Sequence, residues 1–388
     1  MNRSEGAGAT ADLGAGYAAL HEGLAVVDIG RDVVRVTGPD AERYLQGQLS
    51  QDVAALAPAE SAWSLVLAPQ GKLDVFVRVY RVAADEFLLD TDAGMGEALV
   101  GRLLRFRLRT KADIQRLDWR ALAVRGPLAA LPLGAAASGS VAPGSLTAGS
   151  VAPGPLTAGS VAPGSLTAGS MRRGPVAPGP LTGAPVAGTS PSAEVPSSAT
   201  VGSSRDGAVA VPFRWNGLNG YDLLGPAPAP PEGSTFVDAG AYEVARIEAG
   251  FPRHGAELDE RTIPAEAGLV AESVSFTKGC YTGQELVARI DSRGSNVPRH
   301  LRGLLLSGPA EAGWALHALG AGGAGEPAGE GEGAPKELGR LTSVALSPRL
   351  GWVALGYVGR AVETGQTLGV RGGVEAQVQL LPFATPAQ

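Results

Sequence analysis

The chain has 388 residues, with 32 Lys and Arg against 38 Asp and Glu, which gives a formal net charge of −6. This balance argues against binding to DNA or to an anionic membrane, both of which favour a basic protein surface. No run of about 18 apolar residues occurs, and no basic start precedes an apolar core at the N-terminus. We therefore expect a cytoplasmic protein with neither a DNA nor a membrane partner.

Cysteine usage restricts the redox and metal chemistry. Cys280 is the only cysteine, so the chain forms no internal disulfide and carries no CxxC pair. An iron–sulfur cluster is normally held by four thiolates, and this chain would need a partner to supply the others. We expect no resident metal site.

Two low-complexity tracts interrupt the chain. Residues 134–207 contain a ten-residue repeat, GSVAPGSLTA at 139–148 and twice more with little change, and residues 318–335 are rich in Gly, Ala and Glu. One Val and one Leu per repeat bury too little apolar area to offset the entropy of ordering the backbone. We predict a disordered insertion at 134–207 and a flexible loop at 318–335.

The remaining residues alternate between strand and helix patterns. Before the insertion, period-two runs predict strands at 23–29, 32–36, 61–68, 73–82 and 86–90. Helices are expected after Gly38-Pro39-Asp40 and over 95–107. After the insertion we expect strands at 208–213 and 221–224, a helix at 241–250, and short β-runs over 301–383 that indicate a small barrel.

Cys280 lies ahead of a predicted helix start. Thr282 and Glu285 have the spacing of a capping box, which would place Cys280 two residues before the N-cap. The positive helix end and nearby Lys278 would both favour the thiolate. The alternative is a buried structural cysteine. A Cys–His protease is disfavoured, because no histidine stands in a recognisable relation to Cys280.

A second polar group lies in Arg246-Ile-Glu248-Ala-Gly250. On a helix, Arg246 and Gly250 share a face, and Glu248 projects from another side. The two carboxylate oxygens of Glu248 could accept hydrogen bonds from an amino-substituted heterocycle. The alternative is a surface salt bridge.

The octet Lys278-Gly-Cys-Tyr-Thr-Gly-Gln-Glu285 resembles the signature of YgfZ-type folate-binding proteins, which support iron–sulfur cluster assembly or repair. That family is related to the glycine-cleavage T-protein, a tetrahydrofolate-dependent aminomethyltransferase. Further stretches follow the family's order and extend the resemblance over nearly all of the chain outside the N-terminus and the two tracts: 44–48, 68–72, 246–250, 298–301, 338–343 and 381–383.

The resemblance implies an α+β fold like that of T-protein: a three-domain ring with antiparallel sheets, a C-terminal β-barrel and a central folate pocket. The implied domains are two intertwined folate-binding parts, 21–133 and 208–300, and a barrel over 301–388. Residues 1–20 are expected to be a flexible N-terminus. The implied cofactor is tetrahydrofolate or a one-carbon derivative of it, and the implied partners are folate and iron–sulfur client or assembly proteins.

The resemblance also assigns roles to individual residues. Cys280 corresponds to the signature thiol, a candidate nucleophile or transient ligand, and Lys278 accompanies it. Glu248 corresponds to the carboxylate that pairs with the pterin ring. The rest of the cofactor-binding set is Arg246, Asp74, Tyr281 and Gln284.

Three functions are compatible with these features. The first is a tetrahydrofolate-binding accessory protein for iron–sulfur cluster assembly or repair. The second is a one-carbon transferase of the T-protein type, although T-protein-like enzymes carry an acidic pair after their Gly-rich turn, whereas Asp74 is here followed by Val75. The third is an interaction protein that has kept the fold but not the pocket. Whether the protein is an enzyme stays open at this point.

Overall fold

A computed structural model describes residues 3–131, 207–215, 218–293, 296–319 and 336–384, with side chains from residue 12 onward. These residues belong to one compact unit, 1–138 with 198–388. The insertion predicted at 134–207 lies outside the described residues apart from Gly207, and so does most of the loop predicted at 318–335.

The first half of the chain builds a five-stranded antiparallel sheet in the order β3-β4-β5-β2-β6. Its apolar side chains pack against two helices, with Leu45 and Leu99 fully buried. The elements over this half are α1 (Arg3–Glu22), β1 (Ala25–Asp28), β2 (Arg31–Thr37), α2 (Ala41–Gln48), β3 (Ser61–Leu67), β4 (Leu73–Ala83), β5 (Glu86–Asp92), α3 (Gly96–Phe106) and β6 (Asp113–Leu117).

A second five-stranded sheet combines residues from both sides of the insertion, in the order β10-β1-β7-β9-β8. Its strands pair antiparallel except for β1 with β10, which are parallel. The new strands are β7 (Arg120–Gly126), β8 (Val209–Trp215), β9 (Leu218–Gly225) and β10 (Thr235–Phe236). Chain segments before and after the insertion are thus hydrogen-bonded into one layer.

The C-terminal part closes into a six-stranded barrel in the order β11-β14-β13-β12-β15-β16, with β16 pairing back to β11. The barrel and the two antiparallel sheets confirm the α+β class expected from the sequence. The remaining elements are α4 (Ala239–Ala249), α5 (Val270–Ser273), α6 (Gln284–Ser292), β11 (Arg299–Leu306), β12 (Ala315–Ala318), β13 (Glu337–Ser347), β14 (Gly351–Gly359), β15 (Thr367–Gly369) and β16 (Glu375–Gln379).

The N-terminal residues differ from the expectation. We predicted a flexible segment over 1–20, but this stretch forms helix α1, which packs on α4 with Leu20 fully buried. The close approach requires a glycine: a Cβ on Gly16 would lie 2.9 Å from Val237 Cγ1 and 3.1 Å from Ala241 Cβ. The segment has low helix propensity because it is rich in glycine, so tertiary contact decides its structure.

A buried ion network joins the two sheets. Arg78 of β4 contacts Asp90 of β5 at 2.9 Å and Asp222 of β9 at 2.7 Å, and Asp222 also contacts Arg125 of β7 at 2.6 Å. All four side chains are at most 3 % exposed. Arg31 of β2 adds a contact of 2.7 Å to Asp90. These alternating charges fix one sheet against the other.

Among the described helices, none combines the length and the apolar character that crossing a bilayer demands.

Candidate functional site

Lys278 anchors the segment that carries Cys280. Its ammonium group donates hydrogen bonds to three backbone carbonyls at the end of α2 and in the turn after it, those of Gln46, Leu49 and Gln51, at 2.7, 2.7 and 2.8 Å. Burial lowers the pKa of Lys278 to about 8, and the nearby Asp52 carboxylate opposes this shift. All three donors of the ammonium group are therefore used inside the protein, which gives Lys278 a structural task.

Two glycines explain how three of the sequence motifs meet. A Cβ on Gly71 would lie 2.5 Å from Leu286 Cβ, and a Cβ on Gly283 would lie 2.6 Å from the Ala68 carbonyl. Both glycines have positive φ, +75° and +82°. The Thr282 amide donates to the Gly47 carbonyl at 3.2 Å. The stretches 44–48, 68–72 and 278–285 thus form one contiguous surface, which we name the signature corner.

The predicted capping box does not form. Helix α6 begins at Gln284, its N-cap is Gly283 in the left-handed conformation, and no side chain caps it. Since glycine offers no side-chain acceptor, the first amides lack the partner that Thr282 was expected to supply. Cys280 therefore lies three residues before the N-cap instead of two. The Cys280 side chain is exposed, so the alternative of a buried structural cysteine is wrong.

Tyr281 and Gln284 flank the cysteine from the protein side. Tyr281 is buried at 7 % exposure, burial raises the pKa of its phenol to about 12, and its hydroxyl has no partner among the described residues. The Gln284 side-chain oxygen accepts from the Tyr281 amide at 3.4 Å. Both side chains support the cysteine-bearing turn.

Asp74 belongs to the same corner. Its carboxylate accepts from Arg102 Nε at 2.8 Å, and the same guanidinium donates to the Leu67 carbonyl at 2.8 Å and to Gln48 Oε1 at 3.2 Å. The guanidinium thus ties Asp74 to the end of α2. The acid is held beside the turn that contains Gly71, oriented by a cation.

Glu248 and Arg246 lie elsewhere, where α4 meets the barrel. Glu248 is 6 % exposed and accepts hydrogen bonds from the hydroxyl of Tyr17 on α1 at 2.8 Å and from the guanidinium of Arg349 at 2.7 Å. The Ser347 hydroxyl donates to its other oxygen. Burial, followed by the Glu248 carboxylate, raises the pKa of Tyr17. Glu248 thus joins three elements inside the protein.

Arg246 is also buried, at 4 % exposure. It pairs with Glu243 at 2.8 Å and with Glu257 at 3.0 Å, and it donates to the Ser343 hydroxyl at 2.7 Å. The alternative of a surface salt bridge is therefore wrong for this pair of residues. Each has its own ionic partner in the interior because burying an unpaired charge is costly.

A cleft of about 640 Å³ opens between the two sheets, α4, α5 and the barrel. Phe76, Trp215 and Phe251 form an aromatic wall, with the Phe251 ring centroid 5.6 Å from that of Phe76 and 5.3 Å from that of Trp215. Arg302 of β11 also lines the cleft, and burial lowers its pKa. No ion pair is found for Arg302 among the described residues.

Two buried polar atoms at this cleft lack partners. The indole Nε1 of Trp215, 7 % exposed, and the hydroxyl of Ser273, 1 % exposed, make no hydrogen bond within the described part of the chain. Buried donors are nearly always satisfied in folded proteins. Both residues line the cleft, and a ligand or water that reached these two shielded atoms would satisfy them.

The residues predicted from the sequence do not line this cleft. Lys278, Cys280, Tyr281, Gln284 and Asp74 converge on the signature corner, whereas Glu248 and Arg246 are apart from it. Helix α5 connects the cleft to the signature corner. Its Ser273 faces the cleft, while the Ser273 carbonyl accepts from the Ser50 hydroxyl in the turn that binds Lys278.

Sequence reasoning missed the cleft residues Phe76, Trp215, Ser273 and Arg302. A weak signal existed for one of them, since Arg302 directly follows the quoted stretch 298–301. The others come from separate strands and a short helix, and no spacing rule connects them. Within the described ranges, no group of three or more His, Cys, Asp or Glu side chains is arranged to hold a metal ion.

Comparisons with known proteins identify relatives. No protein-family model matches the chain. An aminomethyltransferase of Bordetella petrii is 30 % identical over 369 residues, 90 % of this chain and 82 % of that protein. The tRNA-modifying protein YgfZ of Yersinia pestis is 47 % identical over 62 residues, which is 16 % of this chain and 19 % of that protein.

The fold has a counterpart among solved structures. The glycine cleavage system aminomethyltransferase T of Bartonella henselae superposes with a TM-score of 0.67 at 19 % identity, covering 96 % of this chain and 89 % of that one. This likeness supports the three-part architecture. Together with the extended match to the Bordetella protein, it confirms the resemblance seen in the sequence: the chain belongs to the aminomethyltransferase family.

Proposed function

We propose that the protein binds tetrahydrofolate, or a one-carbon derivative of it, in the cleft, and that it supports iron–sulfur cluster assembly or repair in client enzymes. The observation that carries the folate proposal is the cleft itself. It combines an aromatic wall, two buried polar groups without a partner among the described residues, and Arg302, which makes no ion pair with a described residue although Glu272 also lines the cleft. Its volume of about 640 Å³ lies in the range of small-molecule sites.

The chemistry of a reduced folate matches these groups one by one. The planar pyrimidine half of the tetrahydropterin would lie against Phe76 and Phe251, since planar conjugated rings favour offset stacking. Acceptor atoms of the ring would bond the Trp215 indole and the Ser273 hydroxyl. A carboxylate of the glutamate tail would pair with Arg302, whose burial makes an anionic partner favourable.

Glu248 and Cys280 take different places in this proposal. A pterin amino group that paired with Glu248 would join or replace one of the three hydrogen bonds that the carboxylate already accepts, from Tyr17, Ser347 and Arg349. Cys280 is exposed on the signature corner and would face a client protein or its metal, while folate occupies the cleft on the other side of α5. The two sites share one helix but not one cavity.

The test of folate binding uses two ligands. We expect tetrahydrofolate to bind the purified protein in calorimetric titration, and Arg302→Gln to weaken it about tenfold or more, as for loss of a charge-assisted hydrogen bond. 6-Methyltetrahydropterin, which lacks the whole aminobenzoyl-glutamate tail and carries no carboxylate, should bind both proteins equally. No binding of either ligand would contradict the folate proposal.

The iron–sulfur role needs a separate experiment. Client-enzyme cluster content would be measured in a deletion strain complemented with wild type, Cys280→Ser or Arg302→Gln. Both variants should fail to restore the clusters. Full rescue by both would contradict the role even if folate binds.

A second candidate function is aminomethyl transfer, favoured by the match to an aminomethyltransferase over most of both chains. Asp74 is the single acid that follows the turn, and Arg102 orients it. Formation of methylenetetrahydrofolate from a lipoyl-bound aminomethyl group, abolished in Asp74→Asn with folate affinity unchanged, would establish this function.

A further inference from the structure

The end of α3 and the turn into β6 form an unusual surface. Residues 104–111 read Leu-Arg-Phe-Arg-Leu-Arg-Thr-Lys, and we name them the basic corner. Leu104 is 45 % exposed and Leu108 is 81 % exposed. The basic residues that alternate with them are also exposed: Arg105, Arg107, Arg109 and Lys111.

The four cations of this corner exceed the two carboxylates beside them, Asp113 and Asp40, whose side chain accepts from the Lys111 amide. In the described part of the chain, the only acidic side chain within ion-pair distance of these four cations is Asp113, 4.0 Å from Arg107. The whole chain carries a net charge of −6. Four cations concentrated on a single turn of an acidic protein create a local positive field, which attracts anions and steers an encounter.

The exposed leucines are held by a rigid backbone. Lys111 donates its amide to Asp40 Oδ2 at 2.8 Å, and its carbonyl accepts from the Asp40 amide at 3.2 Å. The Thr110 hydroxyl donates to the Leu108 carbonyl at 3.1 Å. Arg109 has a φ of +54°, which is rare outside glycine and costs free energy unless its surroundings impose it.

This rigidity lowers the cost of using the surface. A backbone segment that is already fixed loses little entropy when a partner covers it. The Phe106 ring supports the turn from beneath, with the Arg102 guanidinium carbon 3.9 Å from its centroid. Leu108 is thus presented on a fixed turn between cations, the arrangement of an apolar anchor with a charged rim.

We propose that the basic corner docks an acidic partner protein, which inserts an apolar side chain against Leu108 and places carboxylates against Arg105, Arg109 and Lys111. A protein fits this surface better than a nucleic acid does, because bases stack on aromatic side chains and the exposed apolar residues here are leucines. The proposal is independent of the cleft and of folate.

The test uses two synthetic peptides of equal length and charge. One is an amphipathic helix of Glu with Leu at i,i+4 spacing, and the other has Gln in place of Leu. Fluorescence anisotropy at about 20 mM and about 300 mM salt would report binding to the full chain, because exposed charges are screened over this range. The Leu peptide should bind the wild type about fivefold more tightly than the Gln peptide, and both more weakly at high salt.

The variants separate charge from apolar contact. Arg105→Glu with Arg109→Glu should weaken both peptides about tenfold or more. Leu108→Ser should abolish the preference for Leu over Gln. Arg261→Glu is the matched control, since Arg261 is 81 % exposed and lies outside the corner. Thermal unfolding would verify that each variant stays folded.

Three outcomes would overturn the proposal. One is equal binding of the Leu peptide by wild type and by both corner variants. Another is loss of binding in Arg261→Glu as large as in the double variant. The third is that bulk tRNA or phosphatidylglycerol vesicles bind in a manner that depends on Arg105 and Arg109, while the peptides do not.

Discussion

The ion network between the sheets and the cleft beside it differ in whether their buried polar groups have partners. In the network, Arg78, Asp90, Asp222 and Arg125 are almost fully buried, and each charge has an ionic partner within 3 Å. In the cleft, the Trp215 indole and the Ser273 hydroxyl are also buried, but the described residues provide neither with a partner. In the network one nitrogen, Arg125 Nε, also lacks a hydrogen bond among the described residues, yet every charge there is paired without a ligand.

Buried polar groups with partners stabilise the fold, whereas buried polar groups without partners are available to a ligand. Removing one member of a satisfied network leaves its partner buried without a counter-charge, so the cost appears in the free energy of unfolding. Removing an unsatisfied group relieves a penalty, so the loss appears only in binding.

The largest effect is expected for Asp222→Ala. The change leaves Arg78 and Arg125 as buried cations with one anion fewer, and breaking a buried pair in this way costs about 3–5 kcal/mol in the free energy of unfolding. Denaturant titration would measure it. Glu337→Gln is the control, because its partner Arg340 is half exposed and such surface pairs contribute at most ~1 kcal/mol. Similar losses of stability for both variants would contradict the conclusion that the buried network stabilises the fold.

Lys278→Met should come next, with a loss of about 2–3 kcal/mol, since three carbonyls of the turn 46–51 lose a charged donor. Lys72→Met, on the exposed turn of the same corner, should change stability by less than ~0.5 kcal/mol. If Lys278 instead serves catalysis, the variant would keep its stability and lose only activity.

A pH dependence of folding stability is expected from His254, which lies beside the cleft. Its Nε2 accepts a hydrogen bond from the amide of Phe76, a cleft residue, at 2.9 Å, and burial lowers the pKa of the imidazole. The unfolded chain then binds more protons than the folded one, so stability present above about pH 6.5 is lost on acidification. For one proton the slope reaches at most about 1.4 kcal/mol per pH unit.

His254→Gln should flatten this acid limb, because the amide oxygen of Gln can still accept from Phe76 but does not titrate in this range. Unfolding curves measured between neutral and mildly acidic pH would show the change. An unaltered pH profile would mean that other groups control acid stability.

The smallest expected effect on stability is a gain instead of a loss. Ser273→Ala removes a buried hydroxyl that has no partner among the described residues, so stability should stay the same or rise by up to ~1 kcal/mol. Tetrahydrofolate affinity should fall about fivefold. Ser64→Ala is the contrasting control: Ser64 is equally buried but accepts from the Gln51 amide at 3.0 Å, and its loss should destabilise. A destabilised Ser273→Ala would show that the hydroxyl is satisfied after all.

Much of the fold could be predicted because local patterns and turn residues agree with it. The expected strands at 32–36, 61–68, 73–82 and 86–90 correspond to β2–β5, and the helix at 241–250 corresponds to α4. Helix α1 was missed, since its glycine-rich sequence opposes a helix and only burial of Leu20 and Tyr17 on α4 compensates. The start of α6 was placed too early, because the spacing of Thr282 and Glu285 does not reveal that Gly283 packs against the turn at Gly71.

The sequence by itself determined most strands of the first sheet, helix α4, the family and the octet around Cys280, since each is recognised from short local patterns. Only the tertiary structure decided which polar groups are already satisfied. Lys278 points to three carbonyls more than 220 residues away in sequence, and Glu248 to a tyrosine 231 residues away. The cleft joins β4, β8, α5 and β11, and whether a buried hydroxyl finds a partner there depends on packing that no local pattern encodes.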